Sequence, residues 1–197
     1  MDNLLEEYGE AARDILQVLL PPETIQARVK ELGAQISQDY AGQTPVLVGV
    51  LKGVLFFMAD LLRSISIPVE VDFLAVSSYS PDLRDRGLVR LVKDLESSIA
   101  DRQVLFVEDM VDTGLTLNYL VRNLRSRNPA GLEICTLFNK PTHRLIDLPM
   151  KYVGFEIPDA FIVGYGLDYR ERFRNLPFVG VLDPQALSNG DESTPEH

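Results

Sequence analysis

Cysteine is almost absent: Cys135 is the one thiol in 197 residues. A lone thiol excludes an intramolecular disulfide. It sits in the strand-like segment Leu132–Phe138 with no His or Lys beside it, so it reads as a buried strand residue and not as an activated nucleophile. Histidine is scarce too. His143 and His197 form no metal-ligand pattern with each other, and no role is assigned to either. Long apolar runs are missing. The most apolar stretch, Val54–Leu62, contains Asp60 and falls far short of a bilayer span. Met1 is followed by Asp2, Glu6, Glu7 and Glu10, not by the basic region of a signal peptide. The expected location is the cytoplasm, with no membrane partner. Positive charge is in deficit, with 19 Lys and Arg against 29 Asp and Glu and a net charge of −10. That balance argues against nucleic acid as a partner. It also opposes an anionic ligand at long range, so any phosphate site must rest on local Lys and Arg, backbone N–H groups and metal ions.

Strand-like and helix-like segments alternate along the chain, which predicts an α/β fold with a mostly parallel sheet. Pro21-Pro22-Glu23 opens a helix whose apolar stripe is Ile25, Val29, Leu32 and Ile36. Pro45–Leu51 reads as a strand, followed by a helix with a stripe of Leu55, Met58, Ala59 and Leu62. Val69–Val76 and Leu132–Phe138 are further strands. Leu117, Leu120, Val121 and Leu124 mark another helix, which Asn128-Pro129 stops. Beyond Lys151 the pattern shifts to short strands at Tyr152–Ile157 and Phe161–Tyr165, with no helical stripe after them. Neither a repeat nor a linker interrupts the chain. One domain over residues 1–187 is expected, and the small, polar, acidic residues 188–197 read as a disordered tail.

The most informative stretch runs from Val104 to Leu117. Val104-Leu-Phe-Val107 reads as a buried strand expected to end at the carboxylates Glu108 and Asp109. Asp112, Thr113, Gly114, Leu115 and Thr116 follow, just before the third helix. Ligands of open parallel sheets lie beyond the carboxyl ends of the strands, and a loop feeding a helix N-terminus favours anions. Acceptors for a polyol and donors for a phosphate therefore sit side by side. An ordinary polar turn accounts for a Gly and a Thr, but poorly for three acids crowded against an apolar strand. Lys52 and Gly53 stand at another strand-to-helix junction. Lys140 ends the strand that follows the third helix.

These motifs, in this order from about Leu16 to Leu182, resemble the hypoxanthine-guanine phosphoribosyltransferases, within the type I purine phosphoribosyltransferases. The Glu108 to Thr116 segment is similar to that family's binding motif for phosphoribosyl diphosphate (PRPP). Leu51-Lys52-Gly53 matches its pyrophosphate loop, in which the peptide before the Lys can be cis. The resemblance implies a type I phosphoribosyltransferase fold, with a central mostly parallel sheet flanked by helices and a small hood subdomain. By the same resemblance, Glu108 and Asp109 hold the ribose hydroxyls, and residues Asp112, Thr113, Gly114, Leu115 and Thr116 hold the 5′-phosphate. Asp112 exchanges a proton with the base. Leu51, Lys52, Gly53, Arg144 and Arg174 contact pyrophosphate. Ser77 to Arg90 is a lid with Ser78 and Tyr79 at its tip. Lys140 reads the 6-oxo group, Phe161 stacks on the purine, and Ile162 presents its backbone to the base edge. Asp168 holds Mg²⁺, with Glu108 and Asp109 as further candidates.

The implied activity is Mg²⁺-dependent transfer of 5-phosphoribosyl from PRPP to N9 of hypoxanthine or guanine in purine salvage. A homodimer or homotetramer is expected. Two alternatives stand beside this one. The first is a phosphoribosyltransferase for xanthine or a pyrimidine, which Lys140 and the Phe161 segment disfavour for the pyrimidine. The second is a PRPP-responsive RNA-binding regulator, which the acidic balance disfavours.

Overall fold

The computed structural model describes residues 2–78 and 89–188. The chain divides into two compact units. The larger is Arg28–Pro158; the smaller joins the two ends of the chain, Met1–Ala27 and Asp159–His197.

The larger unit is built on a sheet of β2 (Val46–Leu51), β3 (Glu70–Ser78), β4 (Val89–Lys93), β5 (Gln103–Val111), β6 (Gly131–Asn139) and β7 (Tyr152–Glu156), in the order β4-β3-β2-β5-β6-β7. All pairings are parallel except the edge pair β3–β4. This is the expected mostly parallel sheet. β5 lies at its centre, and Val104, Leu105, Phe106 and Val107 are all fully buried. That explains the unbroken apolar run, since a strand covered on both faces does not alternate. Val104 and Phe106 join one core with Leu117, Leu120, Val121 and Leu124 of α4 (Leu115–Arg125). Each such side chain contributes roughly 1.5–3 kcal/mol by leaving water. Arg122 and Arg125 occupy the last turn of α4, where cations complement the helix dipole.

Three expectations need correction here. First, β5 does not stop at Glu108 but runs on to Val111. Neighbouring β6 continues beside it, pairing Met110 with Phe138 and Val111 with Asn139. Backbone groups are therefore satisfied whatever the side chains, and polarity does not end the strand. Second, the inner stripe of α3 (Leu55–Ser64) is Val54, Phe57, Met58 and Leu61, while Leu55 is 50% exposed. The template i, i+3, i+4, i+7 fits both sets equally, because apolar residues run almost all round this helix. Gly49 of β2 leaves room for the Val54 side of the inner face: a Cβ there would lie 2.9 Å from Val54 and 2.8 Å from Met58, which belongs to both sets. Third, Ser77 and Ser78 belong to β3, paired with Arg90 and Val89 of β4, so Ser78 is a strand residue and not the tip of a loop. Tyr79 and the rest of the expected lid, 79–88, lie outside the described residues, as does the tail beyond 188.

The smaller unit contains α1 (Asp2–Tyr8), β1 (Ile15–Leu20), β8 (Ile162–Val163), β9 (Val179–Leu182) and α5 (Pro184–Ser188), with an antiparallel sheet ordered β1-β9-β8. Its core includes Ile15, Val18, Val163, Phe173, Leu176, Phe178 and Leu182. β1 escapes the sequence reading because its register with β9 shifts twice, between Ile15 and Gln17 and between Val18 and Leu20. Those irregularities erase the period-two pattern. Helix α2 (Pro22–Asp39) buries Ile25, Val29, Leu32 and Ile36 as its spacing predicts. Among the described residues, no helix is long and apolar enough to cross a membrane.

Candidate active site

Three parallel strands of the larger unit bring the candidate residues to one edge. Lys52 and Gly53 follow the end of β2, Glu108 and Asp109 lie near the end of β5, and Lys140 follows the end of β6. The Leu51–Lys52 peptide is cis. Gly53 packs directly on Asp109: a Cβ built there would fall 1.7 Å from its Oδ2. Only glycine lets the β2–α3 turn approach that carboxylate. Asp109 Oδ1 accepts the Met110 N–H at 2.8 Å. Glu108 is buried, and this burial, followed by the charge of Asp109, raises its carboxyl well above the usual range. Two adjacent acids in that state favour a ligand that brings hydroxyl donors or positive charge.

The loop after β5 turns into α4 at Gly114, whose φ is +81°. This left-handed conformation suits glycine, and a Cβ would also meet the Ile146 carbonyl at 2.8 Å. Asp112 Oδ1 is buried with no hydrogen-bond partner. His143 Nδ1 lies 3.5 Å from it. The sequence assigns His143 no role, because it forms no metal-ligand pattern with His197. Its place in the short 3-10 turn Pro141–His143 after β6 is the signal that sets it beside Asp112. Arg144 turns its guanidinium onto the loop backbone and onto Asn139 Oδ1, with Nε donating to the Asp112 carbonyl at 3.0 Å. Lys140 is buried, and its backbone N–H donates to the Val111 carbonyl at 2.9 Å.

The smaller unit holds the remaining candidates. Phe161 is 44% exposed and meets Tyr169 edge-to-face at 5.7 Å. Ile162 is buried in β8, paired with Val181 of β9. Asp168 and Arg174 are brought together, with Arg174 Nη2 2.7 Å from Asp168 Oδ1. Arg174 Nη1 donates to the Gly166 carbonyl at 2.8 Å, while its Nε is buried without a hydrogen-bond partner. A guanidinium fixed on two sides, with a buried donor left over, suits an anion.

An anion loop at a helix N-terminus, beside paired acids at the end of a central parallel strand, defines a class of sugar-phosphate-binding transferases. The chain matches the phosphoribosyl transferase domain family over residues 19–170, and it belongs to that family. The hypoxanthine-guanine phosphoribosyltransferase of Bacillus subtilis (strain 168) is 50% identical over 171 residues, 87% of this chain and 95% of that protein. A crystal structure of a hypoxanthine phosphoribosyltransferase from Staphylococcus aureus is similar with a TM-score of 0.84 and 49% identity, covering 88% of this chain and 94% of that one. A structure of the Trypanosoma cruzi hypoxanthine phosphoribosyl transferase reaches a TM-score of 0.85 at 40% identity, covering 90% and 96%.

Proposed function

We propose that this protein transfers the 5-phosphoribosyl group of PRPP to N9 of hypoxanthine or guanine, releasing pyrophosphate, in cytoplasmic purine salvage. The observation that carries the reading is the convergence at one sheet edge of Gly53 against Asp109, the loop opening α4, and buried Lys140 beyond β6. In this reaction the bond from the ribosyl anomeric carbon to pyrophosphate breaks as a bond to N9 forms. Glu108 and Asp109 orient the ribose. The N–H groups of 112–116 take the 5′-phosphate. Asp112 Oδ1, which has no hydrogen-bond partner and has His143 Nδ1 at 3.5 Å, exchanges a proton with N7 of the base. Lys140 donates to the 6-oxo group, which accepts; the 6-amino group of adenine cannot. In the larger unit Lys52 and the Gly53 backbone receive the leaving group; Arg174, in the smaller unit, offers an anion the same kind of contact.

Among the described residues no set of three His, Cys, Asp or Glu side chains assembles as a metal site. Mg²⁺ does not need one, since it is commonly held by one or two carboxylates together with substrate phosphates and water. In the larger unit the adjacent carboxylates of Glu108 and Asp109 are oxygen ligands of that kind; in the smaller unit, taken by itself, Asp168 is another, with Oδ1 on Arg174 and Oδ2 accepting the Glu171 N–H. Bound Mg²⁺ would offset the negative charge growing on pyrophosphate. We further read residues 1–187 as one functional domain and the protein as a homodimer or homotetramer, which sedimentation velocity measures directly.

The deciding experiment is steady-state turnover with PRPP, Mg²⁺ and each of hypoxanthine, guanine, xanthine and adenine. Turnover of hypoxanthine or guanine far above adenine is expected. Preference for adenine, or no PRPP consumption with any purine, would overturn the proposal.

A further inference from the structure

The 140–146 segment grips the phosphate loop from behind. Three successive carbonyls of that loop point toward it. The Val111 carbonyl accepts from Lys140 N at 2.9 Å and from Arg144 Nη2 at 3.2 Å. The Asp112 carbonyl accepts from Arg144 Nε at 3.0 Å. The Thr113 carbonyl accepts from the backbone N–H groups of Leu145 and Ile146 at 3.0 and 3.2 Å. A trans peptide is planar, so each carbonyl points opposite to the N–H of the next residue. Tethering carbonyls 111, 112 and 113 on one side therefore turns the N–H groups of Asp112, Thr113 and Gly114 to the other. Consecutive N–H groups aimed the same way form an anion-binding concavity.

Arg144 is itself held in place. Its Nη2 also donates to Asn139 Oδ1, and Asn139, at the end of β6, is 8% exposed. A planar guanidinium offers donors in a fixed fork. Fixing one Nη2 partner thus sets where Nε and Nη2 meet the loop. Asn139 does this with a neutral acceptor.

We propose that Arg144 and Asn139 are positioning residues: together they clamp the main chain at 111–112 so that the following N–H groups are pre-aimed at the 5′-phosphate. In this role Arg144 acts through the loop and not by contact with the leaving group. The inference rests on the phosphoribosyl-transfer reading of the site.

The test compares Arg144→Met, Asn139→Leu and Asn139→Asp in the full chain. The affinities for inosine monophosphate and for pyrophosphate with Mg²⁺ are measured by calorimetry. Amide hydrogen exchange over 112–116 is followed in the unliganded protein. Arg144→Met is expected to weaken the nucleotide by about 10- to 100-fold, the range for hydrogen bonds to charged groups, with pyrophosphate affinity within about twofold. Asn139→Leu shifts both readouts in the same direction, and exchange at 112–116 speeds up in both variants. Asn139→Asp, which keeps the acceptor, stays near wild type. A merely structural role would weaken both ligands together and would not spare pyrophosphate. Loss of pyrophosphate binding with nucleotide binding and exchange unchanged would overturn the clamp in favour of direct contact with the leaving group. An Asn139→Leu variant indistinguishable from wild type would overturn it too, and decides the matter if Arg144→Met does not fold. If wild type binds neither ligand, the reaction assignment fails, while the exchange data still judge the clamp.

Discussion

Asp112 combines a buried Oδ1 that has no hydrogen-bond partner with a main-chain carbonyl anchored by Arg144. Asp112→Asn keeps that shape but removes the proton acceptor, and is expected to slow the chemical step by roughly 10²–10⁴, the usual yield of general acid–base catalysis. Single-turnover kinetics check this, and an unchanged chemical rate would rule out the assignment. Lys140 and Phe161 separate two kinds of recognition. A site built to hydrogen-bond one group rejects an analogue by up to about 10⁴–10⁵, whereas stacking is indifferent to which base is present. Lys140→Ala should therefore narrow the gap between hypoxanthine and adenine in kcat/KM, and Phe161→Ala should lower all bases about equally. Retention of the full preference by Lys140→Ala would remove Lys140 as the reader. Cys135 is fully buried, and that burial raises its thiol well above the ordinary value. An alkylating reagent at neutral pH is expected to label it only after denaturation.

At the scale of elements, α3 shows how one helix satisfies two stripes. Leu61 is fully buried, while Leu55 is half exposed. Leu61→Ala should cost about 2–5 kcal/mol, the range for a core Leu truncated to Ala. Leu55→Ala should fall within about 0.5 kcal/mol, as for surface positions. Urea unfolding midpoints of the two variants check this directly, and equal losses would mean that the inner face is misassigned. β5 shows the complementary case, in which apolar Val104–Val107 and the polar residues after them belong to one strand because β6 runs alongside to Asn139. That continuation lets the acid pair sit on strand backbone, a firmer support than a loop.

For the whole molecule, acid sensitivity follows from carboxylates with lowered pKa values. The Tyr152 hydroxyl, 2.7 Å from Asp39, and then Lys151 Nζ, 3.1 Å away, hold the Asp39 carboxyl below its ordinary 3.8. At Asp72 burial pushes the other way but is outweighed by backbone N–H groups of Glu96, Phe73 and Ser97 and by Lys93. Arg127 lowers Asp94. A carboxyl whose folded pKa is depressed adds stability above its unfolded pKa and loses it as pH falls through the folded value. Unfolding midpoints should thus fall below about pH 4. Tyr152→Phe should flatten that dependence, and an unchanged slope would show that Asp39 does not contribute. The net charge of −10 carries a second expectation: no RNA is shifted in a gel at physiological salt.

The parallel strands, the helix beginning after Gly114 and the residues of the anion loop are legible in the sequence, because burial on both faces, helical periodicity and helix-end chemistry are local. Residue type and position mark Glu108, Asp109, Asp112, Lys52 and Lys140 as candidates, whereas Arg144, Phe161, Ile162, Asp168 and Arg174 are candidates only through the family resemblance. What the sequence could not decide is long-range. The inner face of α3 is set by packing of Val54, Phe57, Met58 and Leu61 against the rest of the core, the length of β5 depends on its neighbour β6, and β1 exists through bulged pairing with β9, the far end of the chain. The pairing of Asp168 with Arg174, the seat of Gly53 against Asp109, and the turn of Arg144 and His143 toward Asp112 likewise come from packing. Local preferences state what each segment can be. Only the tertiary structure, by satisfying backbone groups and filling space between distant segments, selects among those options.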